Sequence, residues 1–89
     1  MRGIVTVLGR DRVGIIAEVC SLLASHGVNV LDISQTVLRE YFTMIMLVDV
    51  GGCGGSFVEL TKILSDAGEQ SGLVIRAQRE EIFNAMHKI

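Results

Sequence analysis

The ten residues "YFTMIMLVDV", Tyr41 to Val50, constrain the fold more than any other stretch of the chain. Phe42, Met44, Met46 and Val48 alternate onto one side of an extended segment, while Ile45 and Leu47 fall on the other. A strand that is apolar on both faces cannot sit with water against one of them, so it predicts a central strand of a sheet covered on both sides. The rest of the chain must supply its neighbours and its cover.

The neighbours are legible by their periods. "GIVTVLG", Gly3 to Gly9, is short, β-branched and bounded by glycines, which predicts a buried first strand. From Val13 to His26 the apolar positions are dense, and Glu18, Ser21 and Ser25 leave a narrow polar stripe on a helix that Gly27 caps at its C-terminus. Such a helix needs cover from its own sheet and from something else, with Val19 and Leu22 as candidates for the partner-facing side. "VNVLDISQTVLR", Val28 to Arg39, sets Leu31, Ile33 and Val37 against Asp32, Ser34 and Thr36, a half-polar strand. "GGCGGS" predicts a loop. Ser56 then N-caps a second helix with Phe57, Leu60, Leu64 and Ala67 on one face. Leu73 to Arg79 alternates as a fourth strand, and Ile82, Phe83, Met86 and Ile89 stand at helical spacing in a short amphipathic tail expected to pack, over the sheet's second face.

The order strand, helix, strand, strand, helix, strand predicts an α+β fold, the ferredoxin-like βαββαβ sandwich. Right-handed crossovers place both long helices on one face of a four-stranded antiparallel sheet, with a short C-terminal helix added. Strands one and three become central, and the half-polar second strand an exposed edge. The chain is expected to be a single domain over residues 1–89, with its core in 1–79 and the amphipathic helix in 80–89.

A domain of 89 residues buries only about 60 to 65% of the surface its unfolded chain exposes. Since 49% of the residues are hydrophobic and mean hydropathy is +0.50, homodimerisation is the expected remedy. A net charge of −2 argues against a phosphate-driven interface, and so against nucleic acid. The opening "MRGIVTVLG" has no long apolar targeting segment and Glu18 interrupts the longest apolar stretch, so a cytoplasmic protein without membrane attachment is expected. Cys20 and Cys53 stand in no ligand spacing, which predicts no metal site, a core place for Cys20 and a loop place for Cys53.

Gly9 and Gly14, five apart in "GRDRVGI", have the glycine spacing of a phosphate-cradling loop. That loop continues with Lys and then Ser or Thr, which hold phosphate and magnesium; Ile15 and Ile16 stand there instead and can do neither. Met44, Met46 and Val48 follow Tyr41 and Phe42 where an RNA-recognition sheet would need stacking aromatics and basic neighbours. A copper carrier would need paired cysteines in the first loop. Arg10, Arg12 and Asn29 supply the residue types of an acylphosphatase without its glycine-rich nest. His26 and His87 lie at helix ends, where a positive charge has a structural use. No nucleophile, base and orienting partner assemble, so neither an enzyme nor a bound cofactor is expected.

"GRDRVGIIAEVCSLLASHGVNVLDISQ" closely resembles an ACT domain, the small-ligand regulatory module of amino-acid metabolism, and the resemblance runs through "YFTMIMLVDV" to "QREEIFNAMHKI". Over its whole length the chain is similar to the small, stand-alone ACT-domain proteins of bacteria and archaea. The resemblance implies an effector site formed by the loop after strand one and the start of strand two of a neighbouring subunit. It carries that role onto Arg10, Asp11, Arg12, Val13, Gly14 and Ile15 and onto Asn29. The implied ligand is a free amino acid, whose carboxylate suits free N–H groups at a helix N-terminus. Asp11 either accepts from the ligand's ammonium or caps the helix, and Asn29 either binds ligand or shapes a turn. Serine-binding members of the family have His and Asn where this chain has Gly9 and Asp11. The implied function is a regulatory module acting through a partner protein; the alternative is a dimerisation module with no effector.

Overall fold

The computed structural model describes residues 2–51 and 57–81. They form β1 (Arg2–Arg10), α1 (Ile15–Ser25), β2 (Asn29–Leu38), β3 (Tyr41–Asp49), α2 (Phe57–Ser71) and β4 (Val74–Arg79). The strands make one antiparallel sheet in the order β2-β3-β1-β4, so the first and third strands are central and the second is an edge, as their polarity requires. The two helices lie on one face. Their inward residues Ile15, Val19, Leu23, Leu60 and Leu64 interlock with Val5, Val7, Phe42, Met44, Met46, Val48 and Ile75 in one core. Fully burying each large apolar side chain of this set contributes about 1.5 to 3 kcal/mol before conformational entropy is counted.

β3 is sealed on its helix face, but on the other face Ile45 remains 40% exposed and Leu47 half-buried. The tail expected to cover that side lies outside the described residues. Val19 differs from expectation. It is buried against the sheet, because i, i+4 and i+8 (Ile15, Val19, Leu23) form the stripe that meets the core. Leu22 is only partly buried beside it, and Cys20 packs against the core as predicted.

The predicted face of β2 is corrected by a bulge. Its register with β3 shifts between Val30 and Asp32, leaving Leu31 as an extra residue without a partner. Val30 opposite Val48, Ile33 opposite Met46, Gln35 opposite Met44 and Val37 opposite Phe42 therefore share the helix face, whereas Leu31 drops out of the apolar series. One inserted residue inverts the alternation that unbroken pairing would keep.

Gly27 ends α1 as predicted: its φ of 75° is left-handed, its N–H donates to the Ala24 carbonyl, and Val28 N–H reaches back to Leu23. His26 occupies the C-cap. The other end of α1 begins at Ile15, two residues later than Val13, because Gly14 has φ 90° and ψ 2° and cannot continue a right-handed turn. The predicted N-cap Ser56, the loop Cys53, and the tail residues Ile82, Phe83, Met86, His87 and Ile89 lie outside the described residues. No helix among the described residues is long and apolar enough to cross a membrane.

Candidate functional site

The two glycines of "GRDRVGI" have separate local reasons. Gly9 sits within β1, where a Cβ would come within 2.5 Å of a Leu73 methyl carbon, so its place is set by packing against the end of α2 and the start of β4. Gly14 faces open space, and its positive φ is the requirement. This left-handed residue turns the chain from the loop into α1 with no side chain capping the helix. Asp11 is thus not the N-cap, which decides one of the two readings of that residue. The Gly14 carbonyl accepts the Glu18 N–H at 2.9 Å, opening the helical ladder. The N–H groups of Ile15, Ile16 and Ala17 precede that bond and have no acceptor within the helix. They give the site a partial positive charge.

In front of them lies a groove of about 270 Å³. Asp11, Arg12, Gly14 and Ile15 line it from the loop and helix, Gln35 and Val37 from β2, and Phe42 from β3. Ile15 and Phe42, both buried, make an apolar floor, while the Asp11 carboxylate, the Arg12 guanidinium and the Gln35 amide are exposed. The loop is held over the sheet by a backbone bond from Asp11 N–H to the Glu40 carbonyl at 2.7 Å, which ties it to the β2–β3 turn. Arg39 in that turn has φ 57°, a left-handed conformation uncommon for a residue with a side chain.

Arg12 is already engaged. Its guanidinium meets one Glu18 carboxylate oxygen at 2.9 Å, and the other oxygen accepts a hydrogen bond from the Ser71 hydroxyl at 2.6 Å. Glu18 therefore joins the loop, the first turn of α1 and the last residue of α2. The Ser71 hydroxyl, and after it the Arg12 hydrogen bond, hold the Glu18 pKa below the usual carboxylate value of 4.5 against the opposing effect of desolvation, with the Arg12 charge adding the least. The pair is half in water, so it positions Arg12 more than it stabilises the fold. Beyond Glu18 the helices part around a second groove of about 370 Å³, with Leu22 on one side and Ala67 and Gln70 on the other.

The seven predicted site residues thus divide. Asp11, Arg12, Gly14 and Ile15 converge on the groove. Arg10 ends β1 opposite Tyr41, outside the lining. Val13 points into solvent, 99% exposed. Asn29 pairs with Asp49 at the far end of β2, about 20 Å of extended strand from Gln35 in the same chain. The sequence reading missed Ile16, Ala17, Val37 and Phe42 among the lining residues, and one polar group, Gln35. It is the polar member between Ile33 and Val37 on the helix face of β2, a polar group set in an apolar series. That irregularity is visible in the sequence and becomes meaningful once the register places it beside α1. Among the described residues no three His, Cys, Asp or Glu side chains converge as metal ligands.

Comparison with known proteins fits this architecture. A family model for the ACT domain matches residues 3–78. A UPF0237 protein from Bifidobacterium longum is 51% identical over 88 residues, covering 99% of this chain and 98% of its own length. Of solved structures, an ACT domain protein from Streptococcus pneumoniae superposes with a TM-score of 0.83 at 40% identity, over 98% of both chains. A putative glycine cleavage system transcriptional repressor superposes with a TM-score of 0.69 at 29% identity, over 86% of this chain and 44% of its own.

Proposed function

The chain belongs to the ACT domain family, and on that footing we propose that it is a non-catalytic regulatory module that senses a free amino acid in the groove at the start of α1 and signals through a partner protein in the cytoplasm. One observation carries the reading: the uncapped N-terminus of α1 opens onto a groove that also holds a guanidinium, a carboxylate and an amide. The α-carboxylate of the ligand accepts from the Ile15, Ile16 and Ala17 N–H groups and from Arg12, and its ammonium donates to Asp11. The ligand's side chain rests on Ile15, Val37 and Phe42. The structural relative of 29% identity is itself a putative transcriptional repressor.

Assembly completes the site. β2 is an edge strand that exposes Leu31, Ile33 and Val37, and α1 exposes Ile16, so both elements favour a second copy as cover. Antiparallel pairing of two β2 edges about a twofold axis sets the first residues of one strand beside the last residues of the other. Asn29 of the partner subunit then approaches the Val37 end of β2, where the groove opens. A carboxylate that engages Arg12 competes with Glu18, loosening the tie to Ser71 and α2. This exchange is the proposed signal.

Thermal melting in the presence of each free amino acid tests the reading. A ligand at about one hundred times its dissociation constant stabilises the native state by about 2.7 kcal/mol, a shift of several degrees. At least one amino acid is expected to raise the melting temperature, with Arg12→Ala and Asn29→Ala each weakening the response. The exposed apolar residues of β2 also favour the simpler reading, a dimerisation module without effector. An intact homodimer that no amino acid stabilises establishes that reading in place of the sensor.

A further inference from the structure

We infer that the outer edge of β4 is a second contact between copies of this chain, on which two β4 strands pair antiparallel about a twofold axis and bring their α2 helices side by side. It is distinct from the β2 contact of the proposed sensor, because the strand order leaves β2 and β4 at opposite edges of the sheet. Alternate N–H and C=O groups of an edge strand point away from the sheet and offer a template for a further strand. Along this edge runs a groove of about 390 Å³, bordered by residues 75–78 of β4 and by the α2 flank that carries Thr61, Lys62, Ser65 and Asp66. The charges on that flank select the occupant. Lys62 and Asp66 are exposed, stand one helical turn apart, and are the charged groups that α2 presents to the groove. Among the described residues neither has an ion-pair partner in its own chain. A twofold axis through the midpoint between them sets Lys62 against Asp66 of the partner subunit, and Asp66 against Lys62 of the partner subunit. A wholly acidic or wholly basic segment would satisfy one charge and oppose the other, whereas a second copy satisfies both.

Strand and helix agree on where that axis passes. Directly opposed residues of an antiparallel pair share a face, so the axis runs through a residue of β4. Through Arg76 it would oppose two guanidiniums, and through Ile75 it would set Val74 against Arg76 of the partner subunit. Through Ala77 it opposes Arg76 with Gln78 of the partner subunit and places only small side chains at the centre. α2 gives the same level independently. A Cβ on Gly68 would lie 2.7 Å from the Leu73 carbonyl oxygen and 3.2 Å from the Ile75 N, so Gly68 is level with Val74. α2 runs antiparallel to β4, and Leu64, midway between Lys62 and Asp66, is one turn back, about 6 Å, against about 6.6 Å for two residues of strand. The charge pair is thus centred at Arg76 to Ala77, within reach of the axis. Two helices over four strands leave each about 10 Å of sheet, so the two α2 helices meet across the joined edges at an ordinary packing distance, with the short Thr61 and Ser65 side chains between them.

Charge exchange tests this. Lys62→Asp sets like charges against each other at both ends of the contact, and so does Asp66→Lys, while a mixture of the two variants restores an opposite pair at each end. Both positions are exposed, so far-UV circular dichroism is expected to stay unchanged. Light scattering at one fixed protein concentration and low ionic strength reads the mass. Each variant alone is expected to have a mass at least twofold below that of the unmodified chain, and the equimolar mixture to regain the unmodified mass. Where the β2 edges also pair, the two contacts continue the sheet from copy to copy and the variants stop at the β2 dimer; where they do not, the variants are single chains. The outcome is therefore independent of the sensor reading. An unmodified chain that runs as a single copy overturns the inference, as does a variant that keeps the unmodified mass or a mixture that stays at the mass of its separate variants.

Discussion

Gly68→Ala in α2 separates local propensity from packing, because the two predict opposite signs. In an exposed helix interior, replacing glycine by alanine stabilises by about 0.8 to 1 kcal/mol. Gly68 is buried, however, and an added Cβ would come within 2.7 Å of the Leu73 carbonyl oxygen and 3.2 Å of both the Ile75 N and its Cγ1. Two of these are backbone atoms, which no side-chain rotation can move aside. The same Leu73 also donates its N–H to the Gly68 carbonyl at 2.7 Å, so the turn from α2 into β4 is tied at this point and must shift as a unit. Overpacking of this kind costs about 1 to 3 kcal/mol, and an immovable contact belongs in the upper part of that range. After subtracting the propensity gain, Gly68→Ala is expected to destabilise by about 1 to 2 kcal/mol. For a domain of this size that lowers the melting temperature by roughly 4 to 15 °C. Circular dichroism melts at one fixed protein concentration measure it, because a homodimer's melting point depends on concentration. A melting temperature equal to or above that of the unmodified chain would refute the close approach of α2 and β4.

Two further substitutions probe the site and its frame. Glu18→Gln keeps an acceptor for Ser71 but removes the charge that holds Arg12, and the sign follows from the lowered pKa of Glu18. The stability contributed by a carboxylate with a depressed folded pKa is fully present above its unfolded value of 4.5 and is lost as pH falls through the lower folded value. The unmodified chain should therefore melt above the variant near neutral pH, with the gap closing below pH 4.5; a gap independent of pH contradicts the Arg12 and Ser71 assignment. Arg39→Gly removes a left-handed strain of about 1 to 2 kcal/mol and adds about 0.4 to 1 kcal/mol of unfolded-state entropy. A net gain between zero and about 1.6 kcal/mol in urea unfolding is expected, and a clear loss of stability would show that the turn is unstrained.

The order of elements was legible in the sequence because hydrophobic period is a local property. Alternation in Tyr41 to Val50 marks a central strand whatever it pairs with, and Gly27 after a helical period marks a helix end because a left-handed residue closes the last turn. The loop after β1 could be singled out for the same reason, as an interruption between two periodic segments, and Asp11, Arg12, Gly14 and Ile15 do line the groove. What the sequence left open depended on partners distant along the chain. Gly9 and Gly68 are glycines because Leu73 and Ile75 approach them, which no neighbouring residue announces. Gln35 enters the groove because a single unpaired residue, Leu31, resets which side chains of β2 face α1. That Asp11 does not cap the helix follows only from Gly14, which turns the chain into the helix with no side-chain cap at all. Local pattern determines which elements form, whereas register and close approach are decided by contacts between elements, and here those contacts set which groups the groove presents.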